Sequence, residues 1–149
     1  MGFWDWLFGA GGDGQEGGQG GADMIEVLDE EGEEMRVPRQ KYADEVLPKQ
    51  LEQAGDDPEA LYGTLRRALD EGFAEECLEA ARRLRDIDDN PERGATILGL
   101  TYWKLDRLED AEQVYRDYID EHGESAIVST NLAKIHAERD ETERAKEVL

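Results

Sequence analysis

The sequence predicts a mainly α fold of successive antiparallel helix pairs, preceded by a β-hairpin. Three observations predict it. First, spacing recurs at a period of 34 residues: Leu98-Gly99-x-x-Tyr102 and Ala111-x-x-x-Tyr115 are matched by Leu132-Ala133-x-x-His136 and Ala145-x-x-x-Leu149. Second, apolar residues fall at helical intervals from residue 58 to the end, broken only at turn-forming residues. Third, apolar and polar residues alternate over 24–37 on either side of an acidic turn containing Gly32.

Taken in order, residues 1–8 concentrate Phe3, Trp4, Trp6, Leu7 and Phe8 into an aromatic tip. Residues 9–23 are dominated by Gly and read as a flexible tether, with a span of roughly 20 Å. Ile25, Val27, Met35 and Val37 mark the inner face of the hairpin, and Pro38 ends its second strand. The loop Asp29-Glu30-Glu31-Gly32-Glu33-Glu34 lacks the alternating oxygen ligands of a calcium loop and reads as a solvated turn. Two short helices are expected at Gln40–Leu47 and Lys49–Ala54, with Pro48 between them or in the first turn of the second. With the hairpin they make an N-terminal cap over 24–55.

The repeat region then spans 56–149. Asp57-Pro58-Glu59 supplies a cap, a proline at the first helical position and an acid in the first turn. Helix 58–71 buries Leu61, Leu65, Ala68 and Leu69, and Gly72 closes it. Helix 74–86 buries Cys77, Leu78, Ala81 and Leu84, and Asp89-Asn90-Pro91 restarts the pattern. Helix 92–105 carries Ala95, Leu98, Gly99 and Tyr102, and helix 108–122 carries Ala111, Val114, Tyr115, Tyr118 and Ile119 up to a stop at Gly123. A last pair is expected at 126–139 and 141–149. Gly99 and Ala133 would let the first helix of a pair approach the second closely, with Ala111 and Ala145 answering from the other side.

This spacing resembles the tetratricopeptide repeat family, whose pattern is W-x₂-L-G-x₂-Y…A-x₃-F…P on a helix-turn-helix unit. Three copies fit, at about 58–91, 92–125 and 126–149, the last incomplete. The match departs from the pattern at several places. Thr64-Leu65 and Ala68 stand for Leu-Gly and Tyr in the first copy, Ala95 and Ser129 replace the large aromatic, Gly123 replaces the closing proline, and His136 replaces the Tyr. The resemblance implies a right-handed superhelix of helix pairs, a tetratricopeptide-like α-solenoid, whose inner face binds a peptide or partner helix. Carried over position by position, that groove is expected to include Tyr62, Arg66 and Leu69, then Arg93, Thr96, Leu100, Trp103 and Lys104. The third copy adds Ile127, Thr130, Asn131, Lys134 and Ala137. Arg66, Arg93, Lys104 and Lys134 would contact carboxylates of an acidic or C-terminal peptide, and Asn131 would hold a backbone amide. The alternative is a solvated helix face whose cations pair with neighbouring acids. An uncapped last helix predicts either continuation in a longer protein or cover by a second copy of the chain.

Composition bounds the partners. The 149 residues hold 38 Asp and Glu against 17 Lys and Arg, for a net charge of −21. Such a field repels phosphate backbones and anionic lipid, so no nucleic-acid partner is expected, and it favours cationic ones. Acid excess with only 5 Lys beside 12 Arg also fits adaptation to high salt, where screening removes self-repulsion. The alternative is an ordinary acidic bacterial protein. Cys77 is the single cysteine, which excludes an intrachain disulfide and suggests a reducing cytoplasm. There is no apolar run long enough to cross a membrane and no signal peptide. Phe3, Trp4, Trp6, Leu7 and Phe8 are nonetheless candidates for anchoring at the inner membrane face or in a partner's groove.

No catalytic constellation, metal site or cofactor motif is expected. His136-Ala-Glu138 opens a zinc deaminase signature, but no Pro-Cys-x-x-Cys follows. No His-Glu-x-x-His and no phosphate-binding Gly loop between strand and helix is present. Arg82-Arg83-x-Arg85 is expected to complement a helix C-terminus and to pair with Asp86 and Asp88.

Overall fold

The hairpin forms where alternation places it. The computed structural model describes residues 24–29 and 31–148. Strand β1 (Met24–Leu28) pairs antiparallel with β2 (Glu34–Pro38), bringing Ile25 opposite Val37, Val27 opposite Met35 and Glu26 opposite Arg36. Ile25, Val27 and Val37 are buried. Asp29 organises the turn, its carboxylate accepting from the N–H groups of Glu31 and Glu33, while Gly32 takes a φ of 86° that a side chain would resist.

From Arg39 the chain is helical through Ala54, as α1 (Arg39–Lys41), a π-helical stretch (Tyr42–Val46) and α2 (Leu47–Ala54). Of the two expected placements of Pro48, the structure has it in the first turn of α2, with no break before it. In a regular α-helix Pro48 would lack a hydrogen bond and press its ring on the carbonyl four residues back. Here Leu47 N–H bonds to Tyr42, five residues back, so the helix widens just before the proline and runs on. Tyr42, Val46 and Leu47 are buried, and the Tyr42 hydroxyl donates to Gln50 at 3.3 Å.

The chain divides into two compact units, Met1–Gln50 and Leu51–Leu149. The second holds α3 (Pro58–Asp70), α4 (Ala74–Ile87), α5 (Pro91–Lys104), α6 (Leu108–His122) and α7 (Ala126–Val148). Asp57 and Asn90 cap α3 and α5 through their side-chain oxygens, each followed by proline at the first helical position. Each helix packs on the next, and α5 also touches both α3 and α7. The core comprises the residues the 3.6-residue period selects: Leu61, Leu65, Ala68 and Leu69 on α3, Cys77, Ala81 and Leu84 on α4, Ala95, Leu98 and Tyr102 on α5, and Ala111, Val114 and Tyr115 on α6. Leu78, Tyr118 and Ile119 are half-buried.

The 34-residue period reaches the backbone itself. At the end of α3, Glu71, Gly72 and Phe73 donate to the carbonyls of Arg67, Leu69 and Ala68. At the end of α5, Leu105, Asp106 and Arg107 donate to those of Thr101, Trp103 and Tyr102, every donor and acceptor displaced by 34 positions. Gly72 takes the left-handed conformation at φ 93° and Asp106 does so at 60°. This is the αL termination, in which N–H groups of the turn satisfy the last carbonyls of the helix.

The third pair departs from expectation. Asp140 lies 34 residues after Asp106, yet α7 continues through it without a turn. Arg139-Asp140-Glu141-Thr142 contains neither Gly nor Pro, and Asp enters the left-handed region only at a cost. At Asp106 the turn is followed by α6, whose packing on α5 offsets that cost. The 126–139 and 141–149 helix pair is therefore replaced by one helix, and Ala133, expected to face a second helix as Gly99 does, is exposed.

Candidate functional site

The expected groove residues lie on α3, α5 and α7. Glu59 on α3 and Arg93 on α5 occupy equivalent positions 34 residues apart, and Arg93 Nη1 donates to Glu59 Oε1 at 2.7 Å. At the other end of α5, Trp103 Nε1 donates to Glu138 on α7. Glu92 accepts from the Ser125 hydroxyl just ahead of α7. These links hold equivalent surfaces of three helices side by side.

Arg93 is the best-engaged residue of the set. Its Nε and Nη2 donate to the two Asp88 carboxylate oxygens at 2.8 and 2.9 Å, in the bidentate geometry that suits a guanidinium. Its Cζ stands 5.1 Å from the centre of the Tyr62 ring. The Asp88 side chain is wholly inaccessible, and the Arg93 hydrogen bonds hold its carboxyl below the usual range despite that burial. Pro58, Glu59, Asp88, Asp89, Asn90 and Arg93 line a hollow of about 290 Å³ beside the starts of α3 and α5. Arg93 therefore joins α3, the α4–α5 turn and α5, with three of its five N–H donors used internally.

Tyr62 lies under Arg93, and its hydroxyl accepts from Arg66 at 3.2 Å. Arg66 is exposed and also approaches Asp70 at 3.7 Å. Leu69 is fully buried, which removes it from the expected surface, and Thr96 is half-buried with its Oγ1 shut off from solvent. Leu100 and Trp103 are half-buried, leaving part of each side chain open. Asn131 is half-buried near the Tyr115 hydroxyl, whose pKa burial pushes up to about 12, the Asn131 side chain acting weakly the other way. Among the described residues of α7, Ile127 is the most exposed large apolar side chain, at 51%.

Lys104 and Lys134 differ from the arginines. Both are exposed, and neither makes an ion pair or side-chain hydrogen bond among the described residues. In a chain of net charge −21 they are cations left without an internal carboxylate.

The Arg82 cluster is also engaged, with only one of the two expected acids. Arg82 donates to the Tyr102 hydroxyl and to Glu79, while Arg83 donates to the Gly55 carbonyl and approaches Asp56 at 3.8 Å. Arg85 alone pairs with Asp86, at 3.6 Å, because Asp88 is taken by Arg93. Arg107 also stands against Tyr102, its Cζ 4.8 Å from the ring centre. Between α6 and α7, Glu112 accepts from Arg116 and Arg139, and Arg116 meets His136 Nε2 at 3.2 Å.

Gly94 was not anticipated. A β-carbon there would stand 2.9 Å from the Arg85 α-carbon, so α4 and α5 touch backbone to backbone. A Gly interrupting an otherwise helical pattern is the signal that points to such an approach. Phe3, Trp4, Trp6, Leu7 and Phe8 lie outside the described residues. Among the described residues no helix is long and apolar enough to cross a membrane. No protein family, curated protein or solved structure matches the chain.

Proposed function

We propose that the second unit is a tetratricopeptide-like helical array acting as a protein-interaction scaffold, and that the face shared by α3, α5 and α7 binds an acidic peptide or partner helix. The observation that carries this reading is the pair of unpartnered cations, Lys104 and Lys134, beside the half-open apolar surfaces of Leu100 and Trp103. Nearly every arginine of the same unit is drawn into an internal contact; these two lysines are not. Support for the repeat reading comes from the turn hydrogen bonds that recur at 34 residues and from the contacts of α5 with α3 and α7.

Recognition on this reading divides the cations by role. Lys104 and Lys134 attract carboxylates of the ligand, and Arg66 does so after exchanging Asp70 for it. Arg93 holds the helices in register and makes no ligand contact. Titration of labelled acidic peptides against the full chain, by fluorescence anisotropy, tests this. Lys104→Glu/Lys134→Glu is expected to lose binding, and unchanged affinity in that variant would remove the groove as drawn.

A second reading is attachment to a membrane surface through Phe3, Trp4, Trp6, Leu7 and Phe8, motivated by two Trp and two Phe within eight residues. Liposome flotation tests it: wild type floating and a 1–21 deletion remaining at the bottom is the expected pattern.

A further inference from the structure

We infer that the ligand of the α3–α5–α7 face is an extended segment with two carboxylates six residues apart and an apolar residue midway, the pattern acid-x-x-apolar-x-x-acid. The inference rests on the groove reading above and specifies its substrate class.

The register comes from the chain itself. The Glu59–Arg93 hydrogen bond shows that positions 34 residues apart on α3 and α5 face each other laterally. Seven residues further along each helix is close to two turns, about 10.5 Å up the same face. That step leads from Glu59 to Arg66, from Arg93 to Leu100, and from Ile127 to Lys134. The row reads cation, aliphatic, cation across three adjacent helices. Arg66 and Lys134 are exposed, and Leu100 is half-buried with Trp103 one turn along beside it.

Adjacent packed helices lie roughly 8–10 Å apart, and an extended chain advances about 3.3 Å per residue. A peptide crossing the three helices therefore passes about three residues per helix. A carboxylate set against Arg66 places the residue three further on over Leu100 and the residue six further on at Lys134. Lys104 stands one turn beyond Leu100 and draws the middle of an acidic segment, where it is flanked in its own row by Asp70 and Glu138. Those two acids disfavour a direct carboxylate contact in the second row, so the ligand acids sit at the ends of the first, and Lys104 adds longer-range attraction for them. Glu138 is already committed to the Trp103 indole N–H, which fixes the ring beside the apolar subsite.

The test is a peptide series on the full chain, read by anisotropy: Glu-x-x-Leu-x-x-Glu against versions with the two Glu four or eight residues apart, and against central Leu→Gln. The six-residue separation is expected to bind tightest, by roughly fivefold over the others, about the weight of one exposed ion pair. Leu→Gln is expected to weaken it by a similar factor, and Lys134→Ala to flatten the dependence on spacing. Binding of all acidic peptides with equal affinity, still lost in Lys104→Glu/Lys134→Glu, would overturn the spacing inference and leave the groove standing. Failure of every acidic peptide to bind would overturn both. Arg66 and Lys134 are exposed, so their variants fold; circular dichroism and melting checks confirm this before each titration.

Discussion

The Tyr115 ring lies across Gly99: its Cζ, Cε1 and Oη occupy the space a β-carbon on Gly99 would need. The hydroxyl then donates to the Thr96 carbonyl at 3.3 Å, one turn earlier on α5. Gly99→Ala consequently forces α5 and α6 apart, and the loss outweighs the helix propensity that Ala gains. The expected cost is about 1–3 kcal/mol, read by thermal or urea unfolding. Gly63 on α3 is the internal control. Nothing lies within 4 Å of its added β-carbon, so Gly63→Ala is expected to stabilise by about 0.5–1 kcal/mol.

Removing the Arg93 guanidinium takes two donors from the inaccessible Asp88 carboxylate and leaves it only the Asn90 backbone N–H. Arg93→Met is expected to destabilise by about 1–3 kcal/mol, and Asp88→Asn/Arg93→Met together by less than Arg93→Met alone. A double-mutant cycle of unfolding free energies measures this coupling.

Acid sensitivity follows from the same pair. Hydrogen bonds from Arg93 hold Asp88 below its ordinary 3.8, and those from Arg116 hold Glu112 below 4.5. A carboxyl depressed by folding stabilises fully above its unfolded pKa and loses that contribution as pH falls through the folded value. The stability gap between wild type and Asp88→Asn is therefore expected to be widest near neutrality and to close below about pH 4. Unfolding curves across pH 2–7 check it.

At alkaline pH the sign reverses. Burial pushes the Tyr115 hydroxyl from 10.0 to about 12 and the Cys77 thiol from 9.0 to about 12. Both neutral forms are favoured by folding, so their contribution is present below the unfolded pKa and lost as pH rises toward 12. Tyr115→Phe is expected to melt at a temperature less dependent on pH between 10 and 12 than wild type. Native Cys77 is also expected to resist a thiol reagent at pH 8 and to react once the chain is unfolded.

Asp106 holds a left-handed φ of 60° in the turn where Gly72 stands in the preceding copy. Asp106→Gly is expected to stabilise by up to about 1 kcal/mol and Asp106→Val to destabilise by more. Thermal melts of the two variants decide it.

The helical core was legible because its signal is periodic. Leu61, Leu65, Cys77, Ala81, Ala111 and Tyr115 could be placed from spacing alone, and so could the close approach at Gly99. Contacts that depend on one choice among many acids were not. Asp88 and Glu59 are two of 38 carboxylates, and nothing in the order of residues marks them as the partners of Arg93. The pairing of Arg82 with Tyr102 escaped because a cation among so many acids reads as an ion-pair partner and not as a donor to a phenol. Two backbone outcomes escaped for a different reason. Pro48 and Asp140 are residues that permit a break without requiring one. A π-helical stretch accommodates the first, and α7 passes the second because its sequence from Arg139 to Thr142 is compatible with helix.

On the proposed function, Lys104 and Lys134 draw an acidic ligand onto the face of α3, α5 and α7. The most direct measurement is anisotropy of a labelled Glu-x-x-Leu-x-x-Glu peptide titrated with wild type, Lys104→Glu/Lys134→Glu and a control, Lys49→Glu, at low and at 0.5 M salt. Saturable binding by wild type and Lys49→Glu that weakens with salt, and loss of binding in the double variant, are expected. Equal binding by all three proteins, or none by wild type, would contradict the proposed function.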